Sequence, residues 1–149
     1  MHRYVLGSPM EKQPTAVAHS VRHSEEKQRS AVYELAKQTA SLLGYPETVP
    51  QTAVMVDDRW IGAGYGSPTD AMTSALRLAG ATEGIILDPV YSGKAFAGLL
   101  GNIAEGKFRD DQNIVFLHTG GTPALFAYRA ALAEHASNQQ SPPHRVSEP

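Results

Sequence analysis

Residues 88–96 read Asp-Pro-Val-Tyr-Ser-Gly-Lys-Ala-Phe. Before them stands a short apolar run, Ile85-Ile86-Leu87, and after them a helical pattern carrying Phe96, Leu99, Leu100 and Ile103. An apolar run of strand length, a proline break and then a 3.6-residue period predict a strand that turns directly into a helix. The turn holds a phenol ring, Tyr91, and a hydroxyl, Ser92, at the mouth of that helix. By itself Ser92 reads as an ordinary N-cap and Tyr91 as a packing residue. The alternative is that the pair is presented to something flat or anionic.

The same grammar extends in both directions. Downstream, Ile114 to Leu117 (IVFL) is the clearest strand, and HTGGTPALFAYRAAL then turns from strand to helix. Upstream, Thr15 to Val21 reads as a short strand. A helix follows, with Ser24 as N-cap, Glu25 and Glu26 in its positively polarised first turn, and Val32, Leu35, Ala36, Thr39 and Leu43 on one face. Gly44 and Pro46 end it. Ala53 to Val56 (AVMV) reads as a buried strand. Ser67-Pro68-Thr69-Asp70 predicts a helix capped by Ser67 with Pro68 at its first position, burying Met72, Ala75, Leu76 and Ala79 and ending at Gly84. Strands alternating with helices of this length predict an α/β fold: a three-layer, partial parallel sheet with helices on both faces. The polar, aperiodic ends, residues 1–14 and 135–149, read as tails around a domain at 15–134.

Bulk properties exclude several classes. The chain has 149 residues, no cysteine, 42% hydrophobic and 19% charged residues, and a formal net charge of −2. The charge gives no electrostatic case for nucleic acid or for an acidic membrane surface. The absence of cysteine removes disulfides, thiolate metal sites and cysteine nucleophiles. No apolar segment is long enough to cross a bilayer or to act as a signal peptide, so a cytoplasmic protein is expected. His19 and His23 have helical spacing but fall at a strand-to-helix boundary, and without an HExxH pattern no metal site is expected.

In parallel sheets ligands bind beyond the carboxyl ends of the strands. Three loops fall there: Asp57 to Pro68, Asp88 to Gly93, and His118 to Pro123. The first carries glycines at 62, 64 and 66 but matches neither a Walker loop nor a dinucleotide fingerprint. It reads first as a glycine-rich connection covered by Trp60 and Tyr65, and otherwise as a close approach for a ligand. The third, HTGGTP, is either a tight turn capped by Thr119 or Thr122, or a helix N-terminus open to an acceptor or anion. Lys94, in the first turn after Tyr91-Ser92, reads as a solvated charge or a structural ion pair.

Taken in order, GYGSPTDA, EGIILDPVYSGKAFAGL and FLHTGGTPALFAY resemble the C-terminal part of the D-cysteine desulfhydrase and 1-aminocyclopropane-1-carboxylate deaminase family. These are pyridoxal-phosphate enzymes of the tryptophan-synthase-β fold type. The likeness runs from about residue 24 to about residue 128. It implies a fragment of the large domain of a fold-type II pyridoxal-phosphate enzyme, acting on a small amino acid. It implies catalytic roles for Tyr91, set against the cofactor ring, and Tyr65. It implies cofactor contacts from Tyr91, from Ser92 and Thr119 facing the pyridine nitrogen, and from Gly120 and Gly121 beside the ring. In the deaminases a glutamate stands where this chain has Ser92, and an apolar residue where it has Thr119. A hydroxyl leaves the ring nitrogen mostly neutral, a weaker electron sink that suits β-elimination by a desulfhydrase.

The family's Schiff-base lysine, substrate-carboxylate loop and phosphate loop have no counterpart in this sequence. The expectation is therefore a lone chain that binds pyridoxal phosphate weakly and does not turn over. A complementary N-terminal chain or self-association would cover its open sheet edges. The alternatives are a non-catalytic α/β binding or interaction module, a 1-aminocyclopropane-1-carboxylate deaminase-like fragment, or a small phosphate- or nucleotide-binding protein using the HTGGTP turn.

Overall fold

The computed structural model describes residues 16–46 and 48–133. The tails expected at 1–14 and 135–149 lie outside the described residues. The chain divides into two compact units, one ending at Tyr65 and the other beginning at Gly66.

The first unit is a β-α-β element. Strand β1 (Val17–His19) leads into helix α1 (Glu25–Leu42), and strand β2 (Met55–Asp57) follows a 3₁₀ turn at Gln51–Ala53. The strands pair in parallel, Val17 with Met55, Ala18 with Val56 and His19 with Asp57. The Ser20 amide prolongs the ladder by donating to the Asp57 carbonyl at 2.8 Å. Parallel neighbours require a crossover, and α1 supplies it, packing against β2. Val49, Val54, Val56 and Ala40 are buried. The expected AVMV strand is displaced: Ala53 closes the 3₁₀ turn and the pairing begins at Met55.

The face expected to be apolar in α1 is not a buried face. Leu35, Thr39 and Leu43 are exposed and Ala40 is the buried residue. The helix buries only a small side chain fully; Val32 and Ala36 are half-buried, and Leu35 and Leu42 remain outward. Its N-terminus is also capped differently from expectation. Ser24 makes no side-chain capping bond, and the Glu25 amide donates instead to the Asp58 carboxylate at 2.8 Å. The loop after β2 thus anchors the start of α1.

The second unit is built on α2 (Asp70–Glu83) and α3 (Ser92–Ala104), which pack together. The Thr69 hydroxyl caps α2, accepting from the Met72 amide at 3.1 Å, so Pro68 precedes the helix rather than opening it. Both Ser67 and Thr69 can cap. Thr69 prevails because its extended backbone (φ −130°, ψ 153°) aims its hydroxyl at the amide three residues on. Gly84 ends α2 in the left-handed conformation (φ 65°), and the Ile85 amide reaches back to Ala79 O at 3.1 Å, as in a Schellman stop. Met72, Ala75 and Ala79 are buried, as the periodicity predicts.

In α3 the buried line is Ser92, Gly93, Lys94, Ala97, Gly98 and Asn102, while Phe96 is half-buried and Ile103 exposed. Small residues define this face because the helices approach closely. A Cβ on Gly93 would collide with Leu76 Cδ1, lie 2.6 Å from the Asp88 carbonyl oxygen and lie 3.1 Å from Met72 Cγ.

The runs expected as third and fourth strands, 85–87 and 114–117, form no hydrogen-bonded ladder. Among the described residues the sheet is the parallel pair β1-β2. A run takes strand form only with a neighbour to pair with, and these two have none there. Leu87 is buried, but Ile86, Val115 (88% exposed) and Leu117 face outward. Phe116 holds its run in place by an edge-on contact with Phe96 of α3, at 5.2 Å between centroids and 74° between planes. The α/β class with a parallel sheet holds; the extent of the sheet does not.

Candidate functional site

Asp88 organises the loop that carries Tyr91 and Ser92. Its carboxylate is fully buried. It accepts from the amides of Val90 at 2.8 Å, Tyr91 at 2.7 Å and Ser92 at 2.8 Å, and from the Ser92 hydroxyl. In return the Asp88 amide donates to Ser92 Oγ at 2.8 Å, and the Gly93 amide to the Asp88 carbonyl at 2.7 Å. Burial works to raise the Asp88 carboxyl. The Ser92 hydroxyl and the Tyr91, Ser92 and Val90 amides outweigh it and hold the group below its ordinary range. The first amides of α3 thus find their acceptor in a carboxylate upstream, where it also meets the positive end of the helix dipole.

This corrects the assignment of Ser92 as N-cap. Tyr91 occupies the cap position without a side-chain capping bond, and Ser92 is the first residue of α3. Sequence reasoning passed over Asp88, although an acid followed by proline just ahead of a helix is a capping signal. Tyr91 projects from this braced turn and is 46% exposed. Ser92 is buried, its hydroxyl engaged with Asp88 on both sides.

The HTGGTP loop meets the same carboxylate. Gly120 and Gly121 have φ of 105° and 100°, and a Cβ on Gly121 would lie 2.5 Å from Asp88 Oδ2 and 2.7 Å from its Cγ. Only glycine allows that approach. Gly120 has open space where a side chain would stand, and Thr119 beside it is exposed. Beyond Gly121 the chain forms a 3₁₀ helix (Thr122–Tyr128) with Gly121, not Thr119 or Thr122, at its cap. Tyr128 donates its hydroxyl proton to the Gly66 carbonyl at 2.7 Å, tying the end of that helix to the start of the unit.

The second unit therefore brings Tyr91, Ser92 and Gly121 to one junction around Asp88, with Thr119 and Gly120 in the adjoining turn. Together they offer an aromatic face, an open hydroxyl and bare backbone, a set that suits a flat ring bearing a hydrogen-bonding edge. Lys94 is fully buried one helical step away, and burial pushes its ammonium below the usual lysine range. Of the two readings expected for it, a solvated charge or a structural ion pair, burial removes the first.

Tyr65 ends the first unit and is 50% exposed, with the Arg22 guanidinium 5.5 Å from its ring centroid. In the loop before it, Gly62 turns the chain with φ 71°. Asp57 grips Arg59 through Nε at 2.9 Å and a second guanidinium nitrogen at 2.8 Å. Burial works to raise the Asp57 carboxyl, but Arg59, with a smaller share from His19, holds it well below the usual carboxylate range. Among the described residues no group of three metal-binding side chains gathers, and no helix is long and apolar enough to cross a membrane.

Comparison with known proteins places this geometry in context. A pyridoxal-phosphate dependent enzyme family model matches residues 11–120. D-cysteine desulfhydrases of Salmonella paratyphi C (strain RKS4594) and Salmonella choleraesuis (strain SC-B67) are each 42% identical over 109 residues. The matched segment is 73% of this chain and 32% of each relative, so the chain spans about a third of their length. A crystal structure of an ACC deaminase homologue superposes with a TM-score of 0.67 at 35% identity, over 80% of this chain and 35% of that one.

Proposed function

The chain belongs to the pyridoxal-phosphate-dependent enzyme family, and from that premise we propose that it is the ring side of a D-cysteine desulfhydrase-like lyase site. The reaction is β-elimination, in which D-cysteine and water give sulfide, ammonia and pyruvate. Pyridoxal phosphate, when bound, supplies the electron sink for that chemistry. The chain's own part is to present the Tyr91 ring to the face of the cofactor, residues 92 and 119 at its nitrogen edge, with the Ser92 hydroxyl held by Asp88, and the Gly120-Gly121 backbone beside it. Tyr65, the other tyrosine that the resemblance singles out, belongs to the first unit and is half-exposed there. The observation that carries the reading is the Asp88-braced junction, in which the DPVYS and HTGG motifs meet through Gly121.

The chain supplies this side of the site and not the anchor. Lys94 is fully buried within α3, an unsuitable position from which to reach an aldehyde carbon. The relatives extend well beyond the segment matched here, and the Schiff-base lysine and phosphate loop would come from that further part, whichever polypeptide carries it. A deaminase-like reading draws on the structural neighbour at 35% identity. Ser92 and Thr119, short alcohols that leave the ring nitrogen neutral, favour the desulfhydrase.

Titration with pyridoxal phosphate, borohydride reduction and peptide mass mapping test the half-site. Weak binding without a labelled lysine is expected, and labelling at Lys94 would overturn the assignment. Sulfide release from D-cysteine is then measured with the chain alone and after mixing with the N-terminal two thirds of a Salmonella relative. Release only from the mixture supports the proposal; no release from either removes the lyase reading.

A further inference from the structure

We propose that Arg22 is a positioning residue for Tyr65: it reaches from a turn closed by Ser20, and its guanidinium lies over the phenol ring and holds it for the reaction. The proposal rests on the lyase reading, to which Tyr65 belongs through the resemblance, and it concerns contacts within the first unit alone.

Tyr65 stands between Gly64 and Gly66 in the sequence, and Gly64 takes φ 153° with open space where a side chain would stand. Glycine on either side leaves the backbone wide freedom, so the backbone by itself aims the ring poorly. A contact made by the side chain then matters more. The ring is half-exposed, and the Arg22 guanidinium carbon lies 5.5 Å from its centroid, within the range of a cation–π contact.

Arg22 is itself held from behind. Ser20 is buried, and its hydroxyl donates to the His23 carbonyl at 2.6 Å and accepts from the His23 amide at 3.2 Å, closing a turn across Arg22. The Ser20 amide is fixed by the Asp57 carbonyl at the end of β2, and the Asp58 carboxylate holds the Glu25 amide just beyond the turn. The strand pair and the loop after it thus fix the stem from which Arg22 reaches. Arg59 supplies the contrast. Its guanidinium carbon is 5.8 Å from the Trp60 ring centroid, but Asp57 grips it at 2.9 Å and 2.8 Å, so a carboxylate sets its place and the ring contact follows. Among the described residues no carboxylate pairs with Arg22, and the tyrosine ring is what its guanidinium rests on.

The test has two readouts. In the full chain carrying ring-labelled tyrosine, the Tyr65 resonance is identified by its loss in Tyr65→Phe. Arg22→Ala should move that resonance toward free tyrosine and leave Tyr45, exposed to a similar degree, in place. Arg22→Lys keeps a cation and should restore part of the shift. Ser20→Ala removes the hydroxyl that closes the turn and should move the resonance in the same direction as Arg22→Ala. Sulfide release from D-cysteine is then followed in the mixture with the N-terminal two thirds of a Salmonella relative. Arg22→Ala should lower kcat about twofold to fivefold, the worth of an exposed cation–π contact, at unchanged KM, and Arg22→Lys should recover part of the loss. An unmoved Tyr65 resonance in Arg22→Ala overturns the proposal, and so does a moved resonance with unchanged kcat. If the unmodified mixture releases no sulfide, the lyase reading fails and the role of Arg22 in the reaction fails with it, while the resonance still reports whether the contact exists. Arg22 is exposed, so Arg22→Ala decides the matter even where Ser20→Ala impairs folding.

Discussion

Replacing Gly121 by alanine tests the junction on which the site depends. The added Cβ would lie 2.5 Å from Asp88 Oδ2, 2.7 Å from its Cγ and 3.2 Å from Oδ1. Asp88 is held by three amides and a hydroxyl, so it cannot swing away without breaking a buried network. Overpacking of this kind costs about 1–3 kcal/mol. The left-handed backbone adds about 1–2 kcal/mol for any residue with a Cβ. Gly120→Ala is the internal control: its φ is 105°, close to the 100° of Gly121, but a Cβ there meets nothing within 4 Å. The expected losses are about 2–5 kcal/mol for Gly121→Ala and about 1–2 kcal/mol for Gly120→Ala. Urea unfolding followed by circular dichroism measures both. A gap of at least about 1 kcal/mol supports the contact. Equal losses would mean that Gly121 does not close over Asp88, and the two motifs would no longer share a junction.

Gly93→Ala should destabilise by about 1–3 kcal/mol through overpacking, since its Cβ meets the Asp88 carbonyl, Met72 and Leu76; thermal unfolding checks it, and a neutral result would refute the close α2–α3 approach. Thr69→Ala should cost about 1 kcal/mol by removing the cap on the Met72 amide, while Ser67→Ala should cost little, in the same melts. Tyr128→Phe should lose about 1 kcal/mol with the bond to the Gly66 carbonyl, read from the urea midpoint. Acid should weaken the fold through Asp88. Its folded carboxyl titrates below the unfolded value near 3.8, so its stabilisation is complete above that value and is lost as pH falls through the lower, folded one. Ser92→Ala removes the largest of the interactions that lower it, so unfolding against pH should begin at higher pH than in the unmodified chain.

Local signals were legible in the sequence where a few neighbouring residues decide them. Gly84 stops α2 because only a residue tolerant of φ 65° closes that turn, and Met72, Ala75 and Ala79 are buried as their spacing requires. Contacts between distant segments were not legible. Nothing local says that Asp58, 33 residues on, would cap α1 in place of Ser24. Nor does periodicity reveal that α3 packs through Gly93 and Ala97 while Ile103 stays exposed, since hydropathy marks large side chains and close packing selects small ones. The runs at 85–87 and 114–117 have strand composition without strand pairing, because pairing is a property of neighbours and not of the run. The motif residues were found through resemblance, and Asp88 was overlooked because its importance lies in what its carboxylate holds.

A buried carboxylate with every bond satisfied by its own loop is first a structural element, and its functional value follows from rigidity. Tyr91 can serve as a platform for a flat ligand only if its backbone does not yield, and the Tyr91 amide is among the bonds that Asp88 accepts. Gly121 can expose its backbone only if something fixes the turn from behind, and that something is the same carboxylate. One acid therefore sets the position of both motifs, and losing it should disturb the proposed ring-side binding more than the loss of any one residue proposed to touch the ring.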